Sequence, residues 1–111
     1  MLMVAIIFFT LAALLGLYLL SFILQNKETP KGVAFTHGPL AVIGLIILII
    51  YSILSKSSPV ISIILFVLAA LGGIMLIYRD LTGKSIPKWM AIGHGLTAIA
   101  GFIFLIIFIL R

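Results

Sequence analysis

The sequence predicts an all-α protein, a four-helix transmembrane bundle built from two tandem helical hairpins in a parallel repeat. The composition is 65% hydrophobic and only 8% charged, whereas soluble domains carry roughly 25% charged residues. Four apolar segments each reach the length of about 20 residues that a bilayer crossing requires. The second half of the chain also repeats the first. These observations exclude a soluble domain and a disordered tail, because both need more polar surface.

The first two helices are separated by a short polar segment. The first helix is expected over about residues 2–24. It is too long for a signal peptide and lacks a basic start and a cleavage site, so it is expected to remain in the mature protein. The second is expected over residues 31–54, with Thr29 as its N-cap and Pro30 in its first turn.

The third and fourth helices follow the same pattern in the second half of the chain. A short serine-rich turn leads into the third helix, expected over about residues 59–79. The fourth is expected over about residues 88–110, after Pro87. Trp89 lies where amphipathic aromatic residues meet the membrane surface.

The distribution of cations predicts the orientation in the membrane. Five lie on the side of the first and third loops and two on the other; the five are Lys27, Lys31, Arg79, Lys84 and Lys88, and the two are Lys56 and Arg111. Positive loops stay in the cytoplasm, so both termini are expected outside it, in a membrane predicted to be the bacterial inner (plasma) membrane. The cations are scattered singly, which argues against a nucleic-acid partner.

The sequence indicates a tandem duplication, in which residues 58–111 repeat residues 1–54. The evidence comes from uncommon residues that agree without a gap, including Gly16 with Gly73, Pro30 with Pro87, His37 with His94, Gly38 with Gly95 and Gly44 with Gly101. Each half holds two helices, so both halves enter the membrane in the same direction. Equivalent residues are then expected to face each other at equal depth.

Two histidines are the candidate functional residues. His37 and His94 each lie about six residues, or roughly 9 Å, into their helices. Each shares a helix face with small residues, namely Ala34, Ala41 and Gly44 in the second helix and Ala91, Ala98 and Gly101 in the fourth. Such a stripe can simply be a packing seam across which a histidine hydrogen-bonds. An ionisable group inside the membrane is nevertheless costly and suggests function.

The functional hypothesis is that the two histidines face each other and ligate one haem b. A haem needs two axial ligands, small residues beside the macrocycle, apolar surroundings and cations near its propionates. The predicted metal ligands are His37 and His94. The predicted cofactor-binding residues are His37, His94, Gly38, Gly95, Ala41, Ala98, Gly44, Gly101, Lys31 and Lys88. Ala12 with Gly16, and Ala69 with Gly73, are assigned to helix packing alone.

With these residues in place, the arrangement resembles the small four-helix membrane b-type cytochromes, which hold haem between histidines of facing helices. The resemblance covers the four-helix layout together with His37 and His94. It implies electron transfer, with a quinone or a redox protein as partner and the lipid bilayer as surroundings. Two-haem members of that group use four ligands and this chain has two, so one haem is expected.

Other activities lack residues that they require. Zinc needs a third ligand that is missing, and the only acids, Glu28 and Asp80, cannot orient a buried histidine for hydrolysis. No hydrolase or transferase signature is present, and redox chemistry is the one activity retained. A small transporter or channel is the alternative, although the small multidrug-resistance exporters it resembles use an acidic residue in the first helix. A helix-packing scaffold without cofactor is the third hypothesis. Whether the histidines pair within one chain or across a homo-oligomer stays open.

Overall fold

The computed structural model describes all 111 residues, which form four α-helices joined by short loops. Consecutive helices are antiparallel. They are α1 (Leu2–Leu24), α2 (Lys31–Leu54), α3 (Val60–Leu81) and α4 (Lys88–Leu110). All four are long and apolar enough to cross a membrane, and the molecule extends 44 Å along its longest axis. The predicted all-α transmembrane bundle is confirmed, and the protein is an integral membrane protein.

Proline determines where three of the helices begin. Pro30, Pro59 and Pro87 directly precede α2, α3 and α4. Proline has no backbone N–H to donate and its φ is fixed, so it suits the start of a helix. α2 begins at Lys31 as predicted, but its N-cap is Pro30 and not Thr29. The Thr29 hydroxyl donates to Asp80 instead of capping the helix.

α1 and α3 end in the same way. Asn26 and Gly83, which are equivalent in the repeat, adopt positive φ angles of 57° and 73°. This conformation lets the N–H of Lys27 reach the carbonyl of Phe22, and the N–H of Lys84 reach the carbonyl of Arg79, both at 2.9 Å. α3 therefore continues to Leu81, two residues beyond the prediction.

The helices are arranged as a ring in chain order. α1 packs against α2 and α4, and α3 packs against α4 and α2. The two diagonal pairs, α1 with α3 and α2 with α4, face each other across the bundle axis. Packing within each hairpin is more extensive than packing between the hairpins.

The core comprises equivalent residues of the two halves. Phe9 and Phe66 stack across one diagonal, with ring centroids 4.0 Å apart and planes 8° from parallel. Ala5, Leu48 and Leu105 complete the buried cluster around them. Most other large apolar side chains are exposed on the outside of the bundle, where lipid would surround them.

Candidate functional site: a histidine pair on the bundle axis

His37 and His94 lie opposite each other on the diagonal helices α2 and α4. Their ring centroids are 6.2 Å apart and the ring planes are nearly perpendicular, at 87°. Both side chains are half-buried. The predicted encounter of the two histidines is therefore present in the structure, and it forms within one chain.

Each histidine is held by a backbone carbonyl of the other helix in its own hairpin. Nδ1 of His37 is 2.8 Å from the carbonyl oxygen of Ala12, and Nδ1 of His94 is 2.8 Å from that of Ala69. A carbonyl oxygen only accepts hydrogen bonds, so each Nδ1 carries the proton and donates it. In a neutral ring Nε2 then has a free lone pair. Neither Nε2 has a hydrogen-bond partner in the structure.

Glycine on the neighbouring helix allows each ring to come this close. A Cβ atom added at Gly16 would lie 3.0 Å from Cε1 of His37, and one added at Gly73 would lie 3.1 Å from Cε1 of His94. Both distances are shorter than ordinary van der Waals contact. Together with Ala12 and Ala69, these glycines belong to the site, although sequence reasoning assigned them to packing alone. Their agreement between the two halves was the available signal.

The small residues predicted beside the histidines fall in three environments. Gly44 and Gly101 are buried one layer deeper, where the Phe9 and Phe66 rings fill the space next to them, 3.1 Å and 3.2 Å from an added Cβ. Gly38 and Gly95 face open space, with no neighbouring atom within 4 Å of an added Cβ. Ala41 and Ala98 are half-buried on the same face of their helices as the histidines.

The two lysines predicted to lie near propionates differ from each other. Lys31 forms an ion pair with Asp80, with Nζ 2.7 Å from Oδ1, and also donates to the Thr29 hydroxyl at 3.0 Å. Lys88 is exposed and forms no ion pair. The repeat has no equivalent of this cluster, since Ile23 and Ile86 stand where Asp80 and Thr29 would be matched. Of these two lysines, Lys88 is therefore the one without an anionic partner.

A cavity reaches one histidine from the lipid-facing side. It has a volume of about 350 Å³, lies between α3 and α4, and is lined by Gly72, Trp89, Gly93 and His94 among others. Leu15 stands at the position of the first repeat that corresponds to Gly72. The absence of a leucine side chain at Gly72 leaves the space beside His94 open, and a Cβ atom added at Gly72 would lie 3.6 Å from Nδ1 of His94.

Two threonines beside the histidines bond within their own helices. The hydroxyl of Thr36 donates to the carbonyl of Gly32 at 2.8 Å, and that of Thr97 donates to the carbonyl of Gly93 at 2.7 Å. Neither hydroxyl is bonded to a histidine. Nowhere do three or more His, Asp or Glu side chains converge. No protein family, curated protein or solved structure matches the chain.

Proposed function

We propose that this protein is a b-type haem-binding membrane protein, in which His37 and His94 are the axial ligands of one haem and electron transfer is the activity. The observation that carries the proposal is the matched pair of Nδ1 to carbonyl hydrogen bonds. Histidines that bind metals usually donate their other ring N–H to such a group, which orients the ring and raises its basicity. Two such rings with free Nε2 atoms, opposite each other in an apolar bundle, are a donor set suited to haem iron.

The surroundings of the pair also suit this group. The two histidines that would hold the haem belong to different hairpins, which pack less extensively against each other than each does internally. Gly16 and Gly73 keep side chains out of this layer, and the Phe9–Phe66 stack closes it on one side and excludes water. When bound, haem supplies reversible one-electron exchange.

The electron partner is proposed to be a lipid-soluble quinone or a redox protein. The cavity beside His94 supports an approach from the membrane, because it opens between α3 and α4 and its lining is mostly apolar. Trp89 at its margin is 73% exposed, at the depth where aromatic residues meet headgroups. A planar carrier diffusing in the bilayer could reach the edge of the site there.

The orientation proposed is that both termini lie outside the cytoplasm, in a bacterial inner membrane. The excess of cations in the first and third loops supports it. The chain has no cysteine, so a single introduced cysteine is a clean label. A membrane-impermeant maleimide added to intact cells should label Ser57→Cys and leave Lys27→Cys unlabelled until the cells are opened; the reverse pattern would invert the orientation.

The haem proposal is tested by the absorption spectrum of the purified protein, before and after dithionite and after titration with haemin. We expect a Soret band that shifts on reduction and sharp visible bands, as six-coordinate haem gives. His37→Ala and His94→Ala should each abolish the six-coordinate spectrum, because either change removes one of the two ligands. Thr36→Ala is the matched control, since its hydroxyl bonds only within α2. A colourless protein that takes up no haemin, or histidine variants with the full spectrum, would reject the proposal.

A scaffold without cofactor is the second candidate, and one observation favours it. The same Nδ1 to carbonyl bonds also join α2 to α1 and α4 to α3, which is how polar side chains hold membrane helices together. If that is their whole role, the alanine variants should lower thermal stability by similar amounts while the wild-type protein binds no haemin.

A further inference from the structure

A second cavity lies at the opposite end of the bundle from the Lys31–Asp80 ion pair. It has a volume of about 390 Å³, is open toward the outside of the bundle and lies between the start of α3 and the end of α4. Its apolar wall includes Phe104, Ile107 and Phe108, and its polar lining includes Ser62 and Arg111. The cavity is therefore apolar along the helices and polar toward the membrane surface.

The first turn of α3 presents unused hydrogen-bond donors at this cavity. Val60 and Ile63 donate their N–H groups to the carbonyls of Ser58 and Pro59, but those of Ile61 and Ser62 have no partner, and no side chain caps the helix. A helix N-terminus carries a partial positive charge, and its free N–H groups favour an anion.

The hydroxyl of Ser62 is an independent sign of a missing partner. Ser62 is only 1% exposed, and its Oγ is the one buried side-chain oxygen or nitrogen without a hydrogen bond. Buried polar groups are normally satisfied, because leaving one unpaired is costly. The equivalent residue of the first repeat is Ala5, so the fold does not need a hydroxyl at this position.

The charge of this end of the molecule complements an anion. Arg111 lies over the Phe108 ring at 4.7 Å, and its Nη2 donates to the Ser57 hydroxyl at 3.1 Å, which leaves other guanidinium N–H groups free. Lys56 lies in the same loop region, and both acidic residues of the chain are at the other end. This end is therefore positively charged, at the level of the lipid headgroups.

We propose that this cavity binds the phosphate group of an anionic phospholipid. The N–H groups of Ile61 and Ser62, the Ser62 hydroxyl and the Arg111 guanidinium donate to the phosphate oxygens. An acyl chain lies along Phe104 and Ile107. The site is independent of the haem proposal, since it lies at another level of the bundle and uses none of the same residues.

The test compares three probes on delipidated protein by native mass spectrometry. They are phosphatidylglycerol, phosphatidylcholine with the same acyl chains, and inorganic phosphate. We expect phosphatidylglycerol to bind about tenfold more tightly than phosphatidylcholine, because both lipids carry the phosphate but the choline cation of the second is repelled by the Arg111 guanidinium. Inorganic phosphate, which has no acyl chain to contact Phe104 and Ile107, is expected not to bind. Equal binding of the two lipids would overturn the proposal. Phosphate binding without a preference between lipids would identify a free anion as the ligand and overturn the lipid assignment.

Two variants and a matched control locate the site. Arg111→Gln should remove most of the preference for phosphatidylglycerol. Ser62→Ala should reduce the affinity several-fold while raising thermal stability without lipid, because it removes an unpaired buried hydroxyl. Lys56→Gln removes the same charge from the same end, but Lys56 does not line the cavity, so the preference should persist. Equal losses in Lys56→Gln and Arg111→Gln would show attraction by surface charge alone, and an unchanged affinity in Ser62→Ala would contradict the assigned site.

Discussion

At the scale of single residues, close approach distinguishes the glycines of this protein. Gly16 and Gly73 touch the histidine rings and Gly44 and Gly101 touch phenylalanine rings, whereas Gly38 faces open space. In the sequence all of them are simply glycines, and several lie next to a histidine or on the same helix face as a histidine. Proximity in sequence therefore did not identify the glycines that contact the site, because a neighbouring helix decides which of them is crowded.

The crowding at Gly16 can be tested directly. Gly16→Ala places a Cβ 3.0 Å from a His37 ring that is tied to the Ala12 carbonyl, so the ring or the helix must move. We expect the free energy of unfolding in detergent micelles to fall by about 1–3 kcal/mol, as overpacking costs. Gly38→Ala is the control, because its Cβ enters open space. Equal stabilities of the two variants would contradict the contact.

At the scale of helices, an ion pair joins elements of different hairpins. Lys31 at the start of α2 bonds to Asp80 near the end of α3, and the Thr29 hydroxyl donates to the second Asp80 oxygen at 2.6 Å. Asp80 is 14% exposed and Lys31 41%. The cluster has no counterpart in the repeat, so it breaks the symmetry of the bundle and ties the hairpins at one corner.

Removing the charge of Asp80 should weaken this connection. Asp80→Asn is expected to lower the free energy of unfolding by about 1 kcal/mol, because the pair is only partly shielded from solvent. The loss should shrink at high salt, which screens partly exposed charges. Thermal unfolding at two salt concentrations measures both effects, and Glu28→Gln, which removes a carboxylate outside any ion pair, is the control. A salt-independent loss would point to packing rather than charge.

At the scale of the whole molecule, two hairpins are joined along a pseudo-twofold axis. The stacked Phe9 and Phe66 rings occupy that axis one layer from the histidines, and Leu48 and Leu105 pack against them. The hydrophobic effect does not drive helices together within lipid, so association depends on close packing. The aromatic stack is therefore a close apolar contact between the hairpins.

Truncating the stack should separate the hairpins. Phe9→Ala and Phe66→Ala are each expected to cost about 3 kcal/mol, as a core phenylalanine does. The double variant should cost less than the sum, because the rings contact each other. Phe35→Ala is the control, since Phe35 is 56% exposed on the outside of α2. Unfolding by denaturant in micelles measures the series, and fully additive losses would contradict the contact between the rings.

Sequence reasoning alone was sufficient for the four helices, their bounds to within two residues, and the meeting of His37 with His94. Bilayer thickness dictates helix length from local hydropathy, and a parallel repeat brings equivalent residues to equal depth. The sequence also predicted that the second and fourth helices face each other. Only the tertiary structure decided that Gly16 and Gly73 contact the histidines and that Lys31 pairs with Asp80. The physical reason is that these helices are apolar on nearly every face, so periodicity does not define which face turns inward; the packing of all four helices defines it.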